Sequence, residues 1–236
     1  MFLSPEDISQ RIFNSSAPIL FIDTCIFLDI LRSPYRDNIS VNAISSALNL
    51  IKMSESDPCK VWLLTNEMVH SEWGENIANV RQELEKEVGR LEHTREQLVI
   101  AANVILEIKP AHGQKMTSLN LHGHLENLSG SFLSHCLIIK QKDSHFVKAM
   151  YRVQKCLAPA KKGKPEPKDC VIFEAFLDIS EKLRGLGYSG EIYFVTSNSR
   201  DYGKVDAPLI LEELNRINAK LIDNLQWALA IAEGRA

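Results

Sequence analysis

The chain has 236 residues, 45% hydrophobic and 24% charged, enough apolar material to bury a core as one large domain or one domain with a sizeable insertion. Its net charge of −3 does not announce a nucleic-acid binder, although metal-binding carboxylates offset basic patches in such a sum. Five cysteines form no CxxC pair, no signal peptide is read at the start, and no apolar run approaches the ~20 residues of a membrane span, so a soluble cytoplasmic protein with free thiols is expected.

Ser4 reads as the cap of a first helix, with Pro5 in its first turn and Glu6 and Asp7 at the positive end of its dipole. Ile19–Ile22, preceded by Pro18, predicts a buried strand that ends on Asp23. Thr24 and Cys25 follow, then the helical spacing of Ile26, Phe27, Ile30 and Leu31. An acid in that position either caps the next helix or stands at the carboxyl edge of an α/β sheet, where such sheets bind ligands. After the breaker at Ser33–Asn38, a helix over Val41–Met53 and a strand at Val61–Leu64 complete a strand, helix, strand repeat.

From Asn66 the pattern is helical for a long way. Ile77, Val80, Leu84, Val88 and Leu91 are spaced three and four apart among charges, continuing less cleanly to about Ile108, where Lys109-Pro110 predicts a stop. Helices are expected at Leu125–Lys140 and Ser144–Leu157, and residues 76–157 read as a helical hairpin or small bundle inserted into a core made of 1–75 and 158–236. Ala158–Lys168, rich in Pro and Lys, predicts an exposed loop. An amphipathic helix with Val171, Ile172, Ala175, Phe176, Ile179 and Leu183 on one side follows, stopping at Gly185 and Gly187. Glu191–Thr196 is a third strand, and a loop, a helix at Leu209–Ala219, a short strand at Lys220–Ile222 and a helix at Leu225–Ala232 close the chain.

Acids recur beside these strand ends and helix starts: Asp23, Glu72 with Glu67 before it, Asp169 with Glu174 five residues on, and Asp201 three residues after Asn198. Several carboxylates at one sheet edge suit hard divalent cations such as Mg²⁺ and Mn²⁺, and two-metal sites of this kind hydrolyse phosphodiesters.

On these residues the sequence resembles the PIN domain, a fold of metal-dependent nucleases that includes toxins of bacterial toxin–antitoxin pairs. The matching stretches are FIDTCIFLDILR, NEMVHSEW, KDCVIFEAF and FVTSNSRDYG. The resemblance implies a PIN-like α/β fold of three layers, a central mostly parallel sheet flanked by helices, with the helical insertion added. It implies Asp23, Glu72 and Asp169 as the principal acids, with Asp201 as a later one and Asn198 in the first acidic place of the fourth motif. Glu174 is a further metal ligand on this reading, and Thr24, Thr196, Ser197 and Asn198 line the site. Lys161, Lys162, Lys164 and Lys168 stand ready to neutralise substrate phosphates.

The expected activity is a Mg²⁺- or Mn²⁺-dependent endonuclease using one or two ions, RNA being favoured over DNA by the resemblance alone, in a toxin or defence setting. A protein partner such as an antitoxin at the insertion, and a homo-oligomer, stay open. The alternative is a PIN fold with weak or no catalysis serving as a binding module. Glu67 against Glu72, an Asx turn at Asn198 and a plain helix start at Asp169 are the competing structural readings. Asp29, Asp178 and Asp206 read as solvated or capping acids, and His70, His122 and His124 as surface. A phosphatase with an aspartyl nucleophile is disfavoured, because that chemistry typically wants a second Asp where Cys25 stands.

Overall fold

The computed structural model describes residues 2–106 and 113–235. In chain order the elements are β1 (Phe2–Leu3), α1 (Pro5–Ile12), β2 (Ile19–Ile22), α2 (Thr24–Arg32), α3 (Asn42–Ser54), β3 (Trp62–Asn66) and α4 (Glu67–Leu106). A 3₁₀ turn at Met116–Leu119 leads to α5 (Leu121–Ser134), β4 (Leu137–Ile139), α6 (Asp143–Lys155) and α7 (Pro167–Gly185). Then come β5 (Ile192–Val195), α8 (Ser199–Tyr202), β6 (Gly203–Lys204), β7 (Ala207–Pro208), α9 (Leu211–Arg216), β8 (Ala219–Ile222) and α10 (Leu225–Ala232). The expected helix stop at Ile108–Pro110 lies outside the described residues.

Six strands form one sheet in the order β1-β4-β3-β2-β5-β8, and every neighbouring pair is parallel. The fold is the PIN-like α/β architecture with flanking helices that the resemblance implies. From β2 the chain steps to β3 and β4 on one side, then returns to β5 and β8 on the other. The strand order therefore reverses between β2 and β5, which is where an open parallel sheet parts its loops and leaves a crevice at the carboxyl edge. Ile22 lies level with Val195, and Val195 with Ile222, so three strands end on one line.

The expected strands are present, because all four residues of β2 and of β5 are buried and a continuous apolar run cannot settle anywhere but inside. Two strands of this sheet differ from the sequence reading, and β6 and β7, which pair apart from it, were not expected either. β1 was not expected, and the helix expected over Leu125–Lys140 ends at Ser134, with 137–139 instead pairing between β3 and β1. A three-residue apolar run carries no period that separates strand from helix; the open edge of β3 decides it.

Phe21, Phe173, Phe176, Phe194 and Tyr202 pack ring on ring between β2, β5 and α7, directly beneath the crevice. Helix α4 spans 40 residues, about 60 Å at 1.5 Å per residue. Its first half is anchored: Ile77, Val80 and Leu84 are buried, and Trp73 Nε1 donates to Ser129 Oγ at 2.9 Å while Ser129 Oγ donates to the Phe27 carbonyl at 2.8 Å. One hydroxyl thus ties α4, α5 and α2 together. The apolar spacing loses its cover beyond Leu84, and Leu98, Val104 and Ile105 are exposed. Glu92 is buried there and accepts the Met116 amide at 2.7 Å, holding the 3₁₀ turn against α4. Among the described residues no helix is long and apolar enough to cross a membrane.

Candidate metal centre

Asp23 follows the last residue of β2 and caps α2. Its backbone is extended (φ −83°, ψ 159°) and Oδ1 accepts the Thr24 amide at 2.7 Å. The cap and the carboxyl-edge reading therefore both describe this residue. Its second oxygen, Oδ2, faces β5, where Thr196 Oγ1 donates at 2.6 Å, and the Cys25 thiol lies 3.3 Å away. The side chain is 3% exposed, and burial raises its pKa against the opposing pull of the Thr196 and Cys25 hydrogen bonds.

Glu72 arrives from the second turn of α4. Thr24 Oγ1 donates to its Oε2 at 2.7 Å, so one side chain of α2 positions the acid next to the strand-end aspartate. Burial again pushes this carboxyl up, and the Asp23 charge adds to the rise. Glu67, the competing acid, turns the other way: its Oε2 accepts the Gln141 amide at 3.1 Å beyond β4.

Asp169 opens α7, where Glu166 (φ 39°) and Pro167 set the start of the helix. Its Oδ2 accepts Asn198 Nδ2 at 3.1 Å, and the Tyr202 hydroxyl donates to its carbonyl at 3.1 Å. Its carboxyl is pushed up to about 8, first by burial and then by the charges of Asp23, Glu72, Glu166 and Asp201. Asp23 acts on it most strongly of those four, so the two aspartates are electrostatic neighbours although they are remote in sequence.

Asp201 is different. Lys164 Nζ donates to Oδ2 at 2.6 Å, Asn198 Nδ2 donates to the same oxygen at 3.0 Å, and Lys161 Nζ forms an ion pair with Oδ1 at 3.1 Å. Burial raises this carboxyl, but the two lysines and Asn198 outweigh it and the pKa is lowered. Asn198 is thus a bridge between Asp169 and Asp201. The lysines sit on a tight turn closed by mutual backbone bonds of Lys161 and Lys164 at 2.9 Å, with Gly163 (φ 80°) supplying the left-handed residue. Lys162 is exposed at its tip, and Lys168 pairs with Glu75 at 2.6 Å.

Glu174 is not brought to the others. Five residues of helix turn it about 140° away from Asp169, and its carboxylate pairs with the buried Arg152 of α6. Arg152 also binds the Ala158 carbonyl at 2.6 Å and Glu213 at 3.0 Å, and stacks over Phe173. The residue closes a structural ion pair in the core.

One acid beside the site was read otherwise from sequence. Asp29 is not solvated but buried, accepting Ser197 Oγ at 2.6 Å and pairing with Arg32 at 3.4 Å. Cys25 receives the Ser197 amide at 3.2 Å and touches both Asp23 and Thr196. The signal for Asp29 is its place between Leu28 and Ile30, both buried: an acid inside an apolar helix needs a partner. Asp178 is likewise part-buried and paired, taking His145 at 3.3 Å and Lys182 at 3.2 Å.

Among the described residues no three His, Cys, Asp or Glu side chains already converge as a ligand set. The donors nevertheless fit a hard divalent cation. Asp23, Glu72 and Asp169 offer carboxylate oxygens, and Asp169, raised first by burial and then by its acidic neighbours, has no lysine paired with it among the described residues as Lys164 is paired with Asp201.

A family model described as PIN domain matches residues 20–202, a span that runs from β2 through Tyr202 and contains Asp23, Glu72, Asp169, Glu174 and Asp201. No curated protein and no solved structure matches the chain significantly. The PIN domain marks a nuclease-type family whose members generally bind nucleic acids and commonly use divalent metals. With most of its length under that match, and with the parallel sheet and its acids in place, this chain belongs to the PIN domain family.

Proposed function

We propose that the protein is a Mg²⁺- or Mn²⁺-dependent endonuclease that hydrolyses phosphodiester bonds, with RNA as its substrate. The observation that carries the reading is the arrival of Asp23, Glu72, Asp169 and Asn198, from four separated stretches of chain, at the crevice between β2 and β5. Asp23, Glu72 and Asp169 would hold the cation. When bound, a divalent ion supplies Lewis-acid polarisation of a phosphate and lowers the pKa of a water nearby.

The chain's own residues do the positioning. Thr196 and the Thr24 amide turn the Asp23 carboxylate, Thr24 aims Glu72, and Asn198 restrains Asp169. Lys161 and Lys164 hold the loop to Asp201, which leaves Lys162 at the tip to meet substrate phosphate. The reading of 76–157 as an insertion belongs to the same proposal, with β4 contributed from it to the common sheet. A protein partner of antitoxin type would dock there, and the exposed Leu98, Val104 and Ile105 of α4 favour such a contact.

Cleavage of a panel of RNAs and DNAs with Mn²⁺ tests the nuclease reading. Asp23→Asn and Asp169→Asn should each lower the rate by roughly 100-fold or more, since even outer partners of a ligand are worth about 10- to 100-fold. Variants that cut as well as wild type would overturn it. A second reading, a binding module with weak catalysis, is favoured by the neutral amide of Asn198 between Asp169 and Asp201. Calorimetry at near-millimolar Mn²⁺ showing no bound ion would select it.

A further inference from the structure

Beside the acids, on the β5–β8 side of the crevice, lies an open cavity of about 820 Å³. Its walls reach the site through Cys25 and Asn198, one bonded to Asp23 and the other to Asp169. Three arginines, Arg32, Arg36 and Arg200, line it against two acids, Asp29 and Asp223. Asp29 is already engaged by Ser197 and Arg32.

The arginines are only partly committed. Arg200 has no ion-pair partner among the described residues, and Arg36 has a loose one, Glu83 at 3.5 Å. Arg32 Nε is out of solvent with no acceptor in the protein, and so is Gln226 Nε2 on another wall. The first turns of α3 and α10 also reach this space through Ala43 and Leu225, bringing the positive ends of two helices.

The excess of cationic donors selects an anion with several oxygens. The volume exceeds what a bare phosphate fills and falls within the roughly 300–1,000 Å³ of pockets that take whole small ligands. Ile26 and Ile39 give apolar wall, while Asn38 and Gln226 carry amides able to meet the edge of a base. Bases of a duplex do not enter a concave pocket; splayed bases of a single strand do.

We infer that this cavity is a nucleotide-binding subsite for single-stranded nucleic acid, seating one nucleotide next to the bond held at the acids, with Arg36 and Arg200 on its phosphate. The inference rests on the nuclease reading for its register, but the binding itself needs no cleavage.

A labelled ten-nucleotide single strand of mixed sequence, as RNA and as DNA, is titrated in EDTA against wild type, Arg36→Gln, Arg200→Gln and Arg216→Gln. Arg36 and Arg200 are exposed, so their variants should fold, as circular dichroism will verify. Arg216 precedes β8 at the opposite edge of the sheet and serves as the control. Each pocket substitution should weaken binding roughly tenfold, as the loss of a hydrogen bond to a charged group does. Each should also flatten the slope of log affinity against log salt by about 0.7. The control should change neither, and the difference between the RNA and DNA arms identifies the preferred sugar.

No binding by wild type, unchanged pocket variants, or an equal effect of Arg216→Gln would overturn the subsite. The same proteins are then assayed with Mn²⁺. Weakened pocket variants of a protein that never cuts would sink the nuclease reading alone, while an active enzyme whose binding ignores Arg36 and Arg200 would sink the subsite alone.

Discussion

Thr196 donates its hydroxyl to Asp23 Oδ2 at 2.6 Å across the point where the strand order reverses. The bond joins the ends of β2 and β5 and leaves Asp23 with one orientation. Thr196→Val keeps the shape and removes the donor. It should reduce metal affinity and cleavage by about 10- to 100-fold, the usual worth of a group that orients a ligand. Calorimetry with Mn²⁺ beside the cleavage rate reads the effect, and equal affinity in the two proteins would show that the bond is only packing.

Asp169 bears a charge that the metal-free protein resists. Its pKa is pushed up to about 8 from 3.8, so its ionised form disfavours the folded state. Stability linked to this group is highest below 3.8 and declines as pH rises toward 8. Asp169→Asn should therefore raise the melting temperature in EDTA at pH 8 by a margin worth a few kcal/mol. Added Mg²⁺ should stabilise wild type more than the variant and narrow that gap. Thermal scans at pH 6 and 8, with and without Mg²⁺, test both halves.

Glu174 and Arg152 form a buried pair, and breaking one side leaves the other charge uncompensated. Glu174→Ala should cost about 3 kcal/mol, the lower end for such pairs, because Glu213 and the Ala158 carbonyl still hold Arg152. Its metal affinity should stay at the wild-type level. Urea unfolding and Mn²⁺ titration together separate a structural role from ligation.

Asp178 resists burial's upward push because His145, Lys182 and Lys142 hold it in the charged form, and its pKa is lowered below 3.8. Its stabilisation is complete above that ordinary value and is lost as pH falls through the depressed one. Asp178→Asn should cost about 1–2 kcal/mol at pH 7, in line with hydrogen bonds to charged groups. The difference between the two proteins should shrink below pH 3.8, as paired urea curves at pH 7 and pH 3 will show.

The sequence by itself determined the strands that are apolar throughout, β2 and β5, and the acids that end or follow them. Ile19–Ile22 has no solvent-tolerant face, and Asp23 marks where the strand ends. Helix α7 was equally legible, its start set by Pro167 and its end by the glycines. Tertiary structure decided what short runs and lone charges do. Leu137–Ile139 became a strand only because β3 and β1 offered open edges on either side. Glu174 and Asp29 have ordinary positions in their helices; Glu174 meets Arg152 of another helix, and Asp29, beside Arg32 one turn on, also takes a hydrogen bond from the distant Ser197. Spacing along a helix states which way a side chain points; whether a cation, a hydroxyl or another carboxylate waits there depends on contacts between residues far apart in sequence. The meeting of Asp23 with Thr196, and of Asp169 with Asn198, is of that second kind.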